Sequence, residues 1–232
     1  MILFLSACAA EPVIWDEPES GPPWMQLPEG YRPPEVQGMC HDSFVARTGN
    51  GAVHAAWWSV RPDSTAVLMV AQESREKGWT TPEAADTMDA GRTGCRRPPP
   101  AMVVSNGSVY LAYGMRAKEG PGVFTVHWMQ GMTHAPVAVV YGERFGRTAI
   151  DVQGDTVAVA YEDPNSDPRR IGVAISTTGS HLFQYRKLIS PPTGISSDPQ
   201  LVLDSAGVMV VWNQTPAVGG LTQGMSRRGR FR

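Results

Sequence analysis

An all-β domain of about four propeller-type blades is predicted by three features of this sequence. One short apolar segment recurs four times, each copy follows a glycine-bearing turn, and runs at helical spacing are nearly absent. The recurring segment reads Val53-His54-Ala55-Ala56-Trp57, Val109-Tyr110-Leu111-Ala112-Tyr113, Val157-Ala158-Val159-Ala160-Tyr161 and Val208-Met209-Val210-Val211-Trp212. Each copy starts with Val and ends with Trp or Tyr, and the closing aromatics are 56, 48 and 51 residues apart.

The elements follow in order within each repeat. The turns are Gly49-Asn50-Gly51, Asn106-Gly107, Gly154-Asp155 and Ser205-Ala206-Gly207, and a short run precedes each of them: 43–47, 101–105, 148–152 and 200–204. Strand, glycine turn, strand is the pattern of a hairpin. A third strand is expected after a polar loop, at 66–71, 123–128, 171–176 and 221–226. A fourth is visible at 136–141 and 182–189, weak in the first repeat and absent after the last. A β-sandwich would not repeat this register four times, whereas four strands about every 50 residues describe propeller blades. The missing last strand leaves three endings open: residues 12–16 supply it from the N-terminus, the ring stays open and is covered by another protein or a second copy, or the sequence is truncated.

The turns after the third strands carry further signals. They read Ser74-Arg75-Glu76-Lys77-Gly78-Trp79, Ser176-Thr177-Thr178-Gly179-Ser180-His181-Leu182-Phe183 and Ser226-Arg227-Arg228-Gly229-Arg230-Phe231. Each keeps a Ser, a Gly and a large aromatic, and none keeps the Asp of Ser-x-Asp-x-Gly-x-x-Trp. In this the chain resembles the sialidase-like, Asp-box-repeat β-propeller superfamily, over about residues 40–231. The resemblance implies a ring of blades with a ligand site at its mouth. Sialidases use six blades, and this chain shows three and a half to four.

The N-terminus reads Met1-Ile2-Leu3-Phe4-Leu5-Ser6-Ala7-Cys8. Leu5-Ser6-Ala7-Cys8 resembles a bacterial lipobox, which implies cleavage before Cys8 and a diacylglycerol on its thiol. The apolar stretch before it is short and lacks Lys or Arg, so the true start of the signal is expected upstream. The domain expectation is a signal remnant at 1–7, a Pro/Glu-rich tether at 8–38 and a propeller-like domain at 39–232. No run of 18 apolar residues follows, so no membrane-spanning helix is expected. The location expected is the bacterial cell envelope, lipid-anchored, on the periplasmic or extracellular side. Cys40 and Cys95 precede the first strands of neighbouring repeats, and an exported compartment permits a disulfide between them.

A net charge of -2 gives no field favouring nucleic acid. Gly-x-Ser-x-Gly, P-loop and dinucleotide fingerprints are absent, and the five histidines show no zinc spacing, so neither a cofactor nor a metal is expected. Glu162-Asp163-Pro164-Asn165-Ser166-Asp167 offers oxygens but no calcium-loop spacing. In a blade, the loop before the first strand and the loop joining the second to the third share one face, which gathers most of the charge. Asp42, Arg97, Arg147 and Asp198 start the inner strands of four successive repeats and form the candidate ligand site. Arginines there suit a carboxylate or sulfate through bidentate bonds. The alternative is Arg–Asp pairing that closes the ring entrance. For glycoside hydrolysis the candidates are Asp42, Glu162 and Asp163, and no pattern singles out a pair.

The leading functional expectation is a non-enzymatic binding or scaffold lipoprotein, an accessory subunit docked on a membrane-protein complex. The alternative is a sialidase-type glycan-processing hydrolase or a carbohydrate-binding protein, taking a small anion or a glycan. The arginine-rich C-terminus, 227–232, is expected as a loose tail that contacts anionic lipid or aids solubility.

Overall fold

The computed structural model describes residues 11–20, 31–74, 78–129 and 131–232. Cys8 therefore lies outside the described residues, as do Arg75, Glu76 and Lys77 of the first Asp-box-like segment. The described residues form four antiparallel sheets with no α-helix. Two short strands open the chain, β1 (Val13–Trp15) and β2 (Glu19–Ser20), and their partner comes last. A turn of 3-10 helix at His41–Ser43 then leads into the blades.

Blade 1 consists of β3 (Val45–Gly49), β4 (Ala52–Val60), β5 (Ala66–Ser74) and two outer pieces, β6 (Gly78–Trp79) and β7 (Glu83–Asp86), both paired with β5. Blade 2 repeats this with β8 (Ala101–Ser105), β9 (Ser108–Ala117), β10 (Gly120–Met129), β11 (Met132–Thr133) and β12 (Val137–Tyr141). Blade 3 has β13 (Thr148–Gln153), β14 (Thr156–Glu162), β15 (Ile171–Ser176) and β16 (Tyr185–Leu188). Blade 4 has β17 (Ile195–Asp204), β18 (Gly207–Thr215) and β19 (Gln223–Phe231). Its outer edge is supplied by the N-terminus: Val13 pairs with Phe231 and Trp15 with Gly229, while Glu19 pairs with Ser226. Of the three endings the sequence leaves open, the structure has the strand of the first, supplied from the N-terminus, without the closed four-bladed ring expected to follow from it. An unpaired outer edge on β19 is thereby avoided.

Three expectations change. Residues 12–20 belong to blade 4 and residues 31–44 pack on blade 1, so the described parts of the 8–38 segment are not a free tether. The arginine-rich end is not a loose tail either, nor is 226–231 a turn: residues 226–231 lie in β19, and the Arg232 N–H donates to the Pro12 carbonyl. Arg227 donates to the carbonyls of Asp16 and Ile189, Arg228 pairs with Asp204 and Arg230 with Asp16. A periodicity-based reading stops β19 early because its alternating Arg, Gly and Ser give no apolar signal. Backbone pairing on both sides supplies what the side chains do not.

The repeated aromatics explain how the blades pack. Tyr113 lies in the apolar cluster between blades 1 and 2, Tyr161 in that between blades 2 and 3, and Trp212 in that between blades 3 and 4. Each lies within its second strand and faces the blade before it. Trp57, the equivalent in blade 1, faces the side where blade 4 would close the ring, and it is covered instead by Met39, Tyr31, Val36 and Phe44. Among the described residues no apolar cluster joins blade 4 to blade 1. The segment before β3 thus takes the place of a neighbouring blade in burying Trp57, which is fully enclosed. Phe183 of the second Asp-box-like turn is likewise a buried plug between blades 2 and 3.

The expected disulfide is present. Cys40 and Cys95 are bonded with their Cα atoms 5.4 Å apart, joining the cap of blade 1 to the loop entering blade 2. No helix among the described residues is long and apolar enough to cross a membrane.

Candidate functional site

The four inner strands stand around a channel of about 370 Å³, lined by Arg47, Arg147, Asp151, Asp198 and Gln200 among others. Above it the channel opens into a shallow depression of about 680 Å³. Asp42, Arg97, Arg147 and Asp198, the four residues singled out from the sequence, all border this mouth, together with Arg96, Phe145, Glu162, Arg169 and Ser197. Four blades contribute because each inner strand begins at this face and each loop joining second to third strand returns to it.

The four do not play equal parts. Arg97 is a structural residue: its side chain is 1% exposed and pairs with Asp89, 2% exposed, at 2.9 Å. Its Nε donates to Asp89, and its two other nitrogens donate to the carbonyls of Gly94 and Gly91. The guanidinium also lies 5.3 Å from the Trp58 ring centroid. With every nitrogen committed inward, it has no face for a ligand, and its assignment to the ligand site is corrected accordingly. Beside it Tyr113 donates to Asp86 at 2.6 Å, and burial pushes both the Asp86 carboxyl and the Tyr113 hydroxyl above their ordinary pKa ranges. Asp86 and Asp89 were beyond the reach of the sequence, since an Asp-x-x-Asp spacing in a loop carries no chemical signature.

Arg147 and Asp198 pair across blades 3 and 4 at 2.9 Å, and both remain about half exposed. Asp198 sits at a bulge in β17 with φ +54, an uncommon conformation that a short polar side chain tolerates best. The bulge lifts Asp198 out of the ladder and turns its N–H to donate to Glu162 Oε1 at 3.0 Å. Glu162, at the end of β14, is 5% exposed, and its other oxygen meets Arg169 at 3.1 Å. Gly146 makes room for this carboxylate. A Cβ there would run into the Glu162 side chain, its Oε2 at 2.5 Å.

Asp42 is exposed at the rim. Asp163 is turned aside and accepts from Ser166 Oγ. Phe145 lies half-buried in the floor with Arg116 over its ring at 5.3 Å. The arrangement offers fixed carboxylate oxygens, guanidinium N–H groups and one apolar ring. It is the pairing of Arg147 with Asp198 and Arg169 with Glu162, more than free charge, that sets the chemistry of this face. Among the described residues no group of three or more His, Cys, Asp or Glu is placed to hold a metal ion.

No family model matches the chain, and no curated protein matches it either. Solved structures with a similar arrangement exist at low identity. The catalytic domain of the Coprinopsis cinerea GH62 α-L-arabinofuranosidase is 10% identical, over 93% of this chain and 96% of that one, with a TM-score of 0.45. The GH43_1 enzyme from Xanthomonas citri complexed with xylose is 16% identical, over 80% of this chain and 67% of that one, with a TM-score of 0.46. A subtype N11 neuraminidase-like protein of a flat-faced bat strain, H18N11, is 10% identical, over 79% of this chain and 59% of that one, with a TM-score of 0.48. At such identities no residue's role passes from these proteins to this chain. The first is an α-L-arabinofuranosidase and the second an enzyme solved with xylose, both on the side of the alternative, carbohydrate processing. The expectation of a non-enzymatic scaffold docked on a membrane complex is corrected on that finding.

Proposed function

We propose that this protein is a glycan-processing protein of the cell envelope, carried on a lipid at Cys8, that holds carbohydrate in the mouth of its blades. The observation supporting this reading is the convergence of Asp42, Arg147, Glu162, Arg169 and Asp198 from blades 1, 3 and 4 on one open depression. A sugar presents many hydroxyls at fixed angles and little charge, so its site needs dense donors and acceptors held in place. Paired guanidinium and carboxylate groups serve well, because each keeps unused N–H groups and lone pairs. Phe145 adds an apolar surface against which the C–H face of a sugar ring can lie.

Glycosidic bond cleavage requires a proton donor and a second carboxylate. Asp42 and Glu162 are the carboxylates we assign to it. Asp42 is exposed at the rim, while Glu162 is buried and held in place by Arg169 and the Asp198 N–H.

The test is calorimetric titration and chromatographic assay of the purified domain against pentose-based and sialylated oligosaccharides. Binding should be lost in Arg147→Ala, and turnover should be lost in Asp42→Asn and Glu162→Gln while binding persists. Absence of binding to every glycan class by a folded domain would overturn the proposal.

A further inference from the structure

We propose that the face opposite the mouth is the surface that meets the membrane, so that the mouth points away from the lipid. The inference rests on the reading of Cys8 as the lipidated residue and adds the orientation that this reading leaves open. Its occupant is a phospholipid bilayer surface.

The argument is one of chain length. β19 runs from Gln223 at the mouth to Phe231 at the opposite end, where the Phe231 N–H donates to Ala206 in the β17–β18 turn. β1 is antiparallel to it, and the Arg232 N–H donates to the Pro12 carbonyl. The chain therefore enters the fold at the hairpin end of blade 4. Lys187 fixes the point of entry by pairing with Glu11 at 2.6 Å.

Cys8 stands three residues before Glu11. Three residues span at most about 11 Å, whereas the nine residues of β19 separate the two faces by roughly 30 Å. A lipid on Cys8 cannot reach round to the mouth. It must hold the hairpin face close to the bilayer.

That face suits the contact. Met132 and Leu182 project from it, both more than half exposed. Beside them His127, His134 and His181 stack with ring centroids 3.7 to 6.2 Å apart, and burial and mutual repulsion push His127 down to about 4. Cationic Arg232 stands at the same end and fits anionic headgroups. The rival is the 216–222 loop on the mouth side, whose Val218 and Leu221 are 91% and 90% exposed. The tether is too short to bring it to the bilayer that holds the anchor.

The experiment uses the full chain, with mass spectrometry of the same preparation reporting the lipid on Cys8. The protein is reconstituted in phosphatidylcholine/phosphatidylglycerol vesicles containing brominated lipid. A fluorophore is placed at Ser205→Cys on the hairpin face or at Val218→Cys on the mouth side. The Ser205→Cys label should be quenched at least about threefold more strongly, given a hydrocarbon core about 30 Å thick. A long Gly/Ser insertion between Ala10 and Glu11 should remove the difference. Equal quenching, or stronger quenching at Val218→Cys, in lipid-bearing protein would overturn the orientation and leave the lipid on Cys8 standing. Protein without lipid on Cys8 would overturn both.

Discussion

Replacing Arg97 by methionine separates a structural from a ligand-binding role for this arginine. The substitution removes the ion pair to Asp89 and the bonds to Gly91 and Gly94, and leaves the Asp89 carboxylate 2% exposed without its countercharge. Removing one partner of a buried pair costs about 3–5 kcal/mol. Whole-domain stability is on the order of 5–15 kcal/mol, so Arg97→Met should approach the limit of folding. Urea unfolding followed by tryptophan fluorescence should shift its midpoint down by about 2 M, taking a slope of roughly 2 kcal/mol per M. Arg97→Met combined with Asp89→Asn should recover part of the loss, because no uncompensated charge remains. Arg147→Ala provides the contrast: its pair with Asp198 is half exposed, so stability should fall by less than about 1 kcal/mol while mouth binding disappears. A stable Arg97→Met protein that has lost ligand binding would refute the reasoning and return Arg97 to the site.

Three further outcomes follow from the same geometry. Replacing Cys40 and Cys95 by serine releases a link across 55 residues, and equilibrium unfolding should show a loss of about 4 kcal/mol, the chain-entropy value for such a loop. Gly146→Ala should displace Glu162, weakening glycan binding and lowering the melting temperature as well, since a Cβ there would lie 2.4 Å from the Glu162 Cβ and 2.5 Å from its Oε2. The third concerns pH. His127 is held near 4 against an ordinary 6.5, so the unfolded chain binds more protons between these values. Stability is therefore fully present above about pH 6.5 and declines as pH falls toward 4. The whole shift would be worth roughly 3 kcal/mol, and solvent access to the cluster reduces the expected loss to about 1 kcal/mol. Melting curves at pH 7 and pH 4.5 should show this loss, and His134→Gln with His181→Gln should shrink it.

Local patterning carried the fold a long way. Val and aromatic residues along the second strands, with Asn or Gly at each tight turn, specify hairpins by backbone preference alone. Third strands at Ile171–Ser176 and first strands at Ala101–Ser105 were legible to the residue. The pairing of Cys40 with Cys95 was legible for the same reason, since equivalent positions in adjacent repeats lie side by side.

What only the tertiary structure decided depends on contacts between distant segments. The use of Val13–Trp15 as the outer strand of blade 4 is a pairing across more than 200 residues, and local preference does not encode its partner. The cover that Tyr31, Val36 and Phe44 place over Trp57 is of the same kind. At the mouth, sequence position brought Asp42, Arg97, Arg147 and Asp198 to one face. Which of them faces a ligand was set by burial and by partners: Asp89 draws Arg97 inward, the bulge at Asp198 keeps that carboxylate half exposed, and the space left by Gly146 seats the buried Glu162 carboxylate beside it. Charge type is written in the sequence, but the dielectric around each charge and the direction in which it points arise only when four blades pack together.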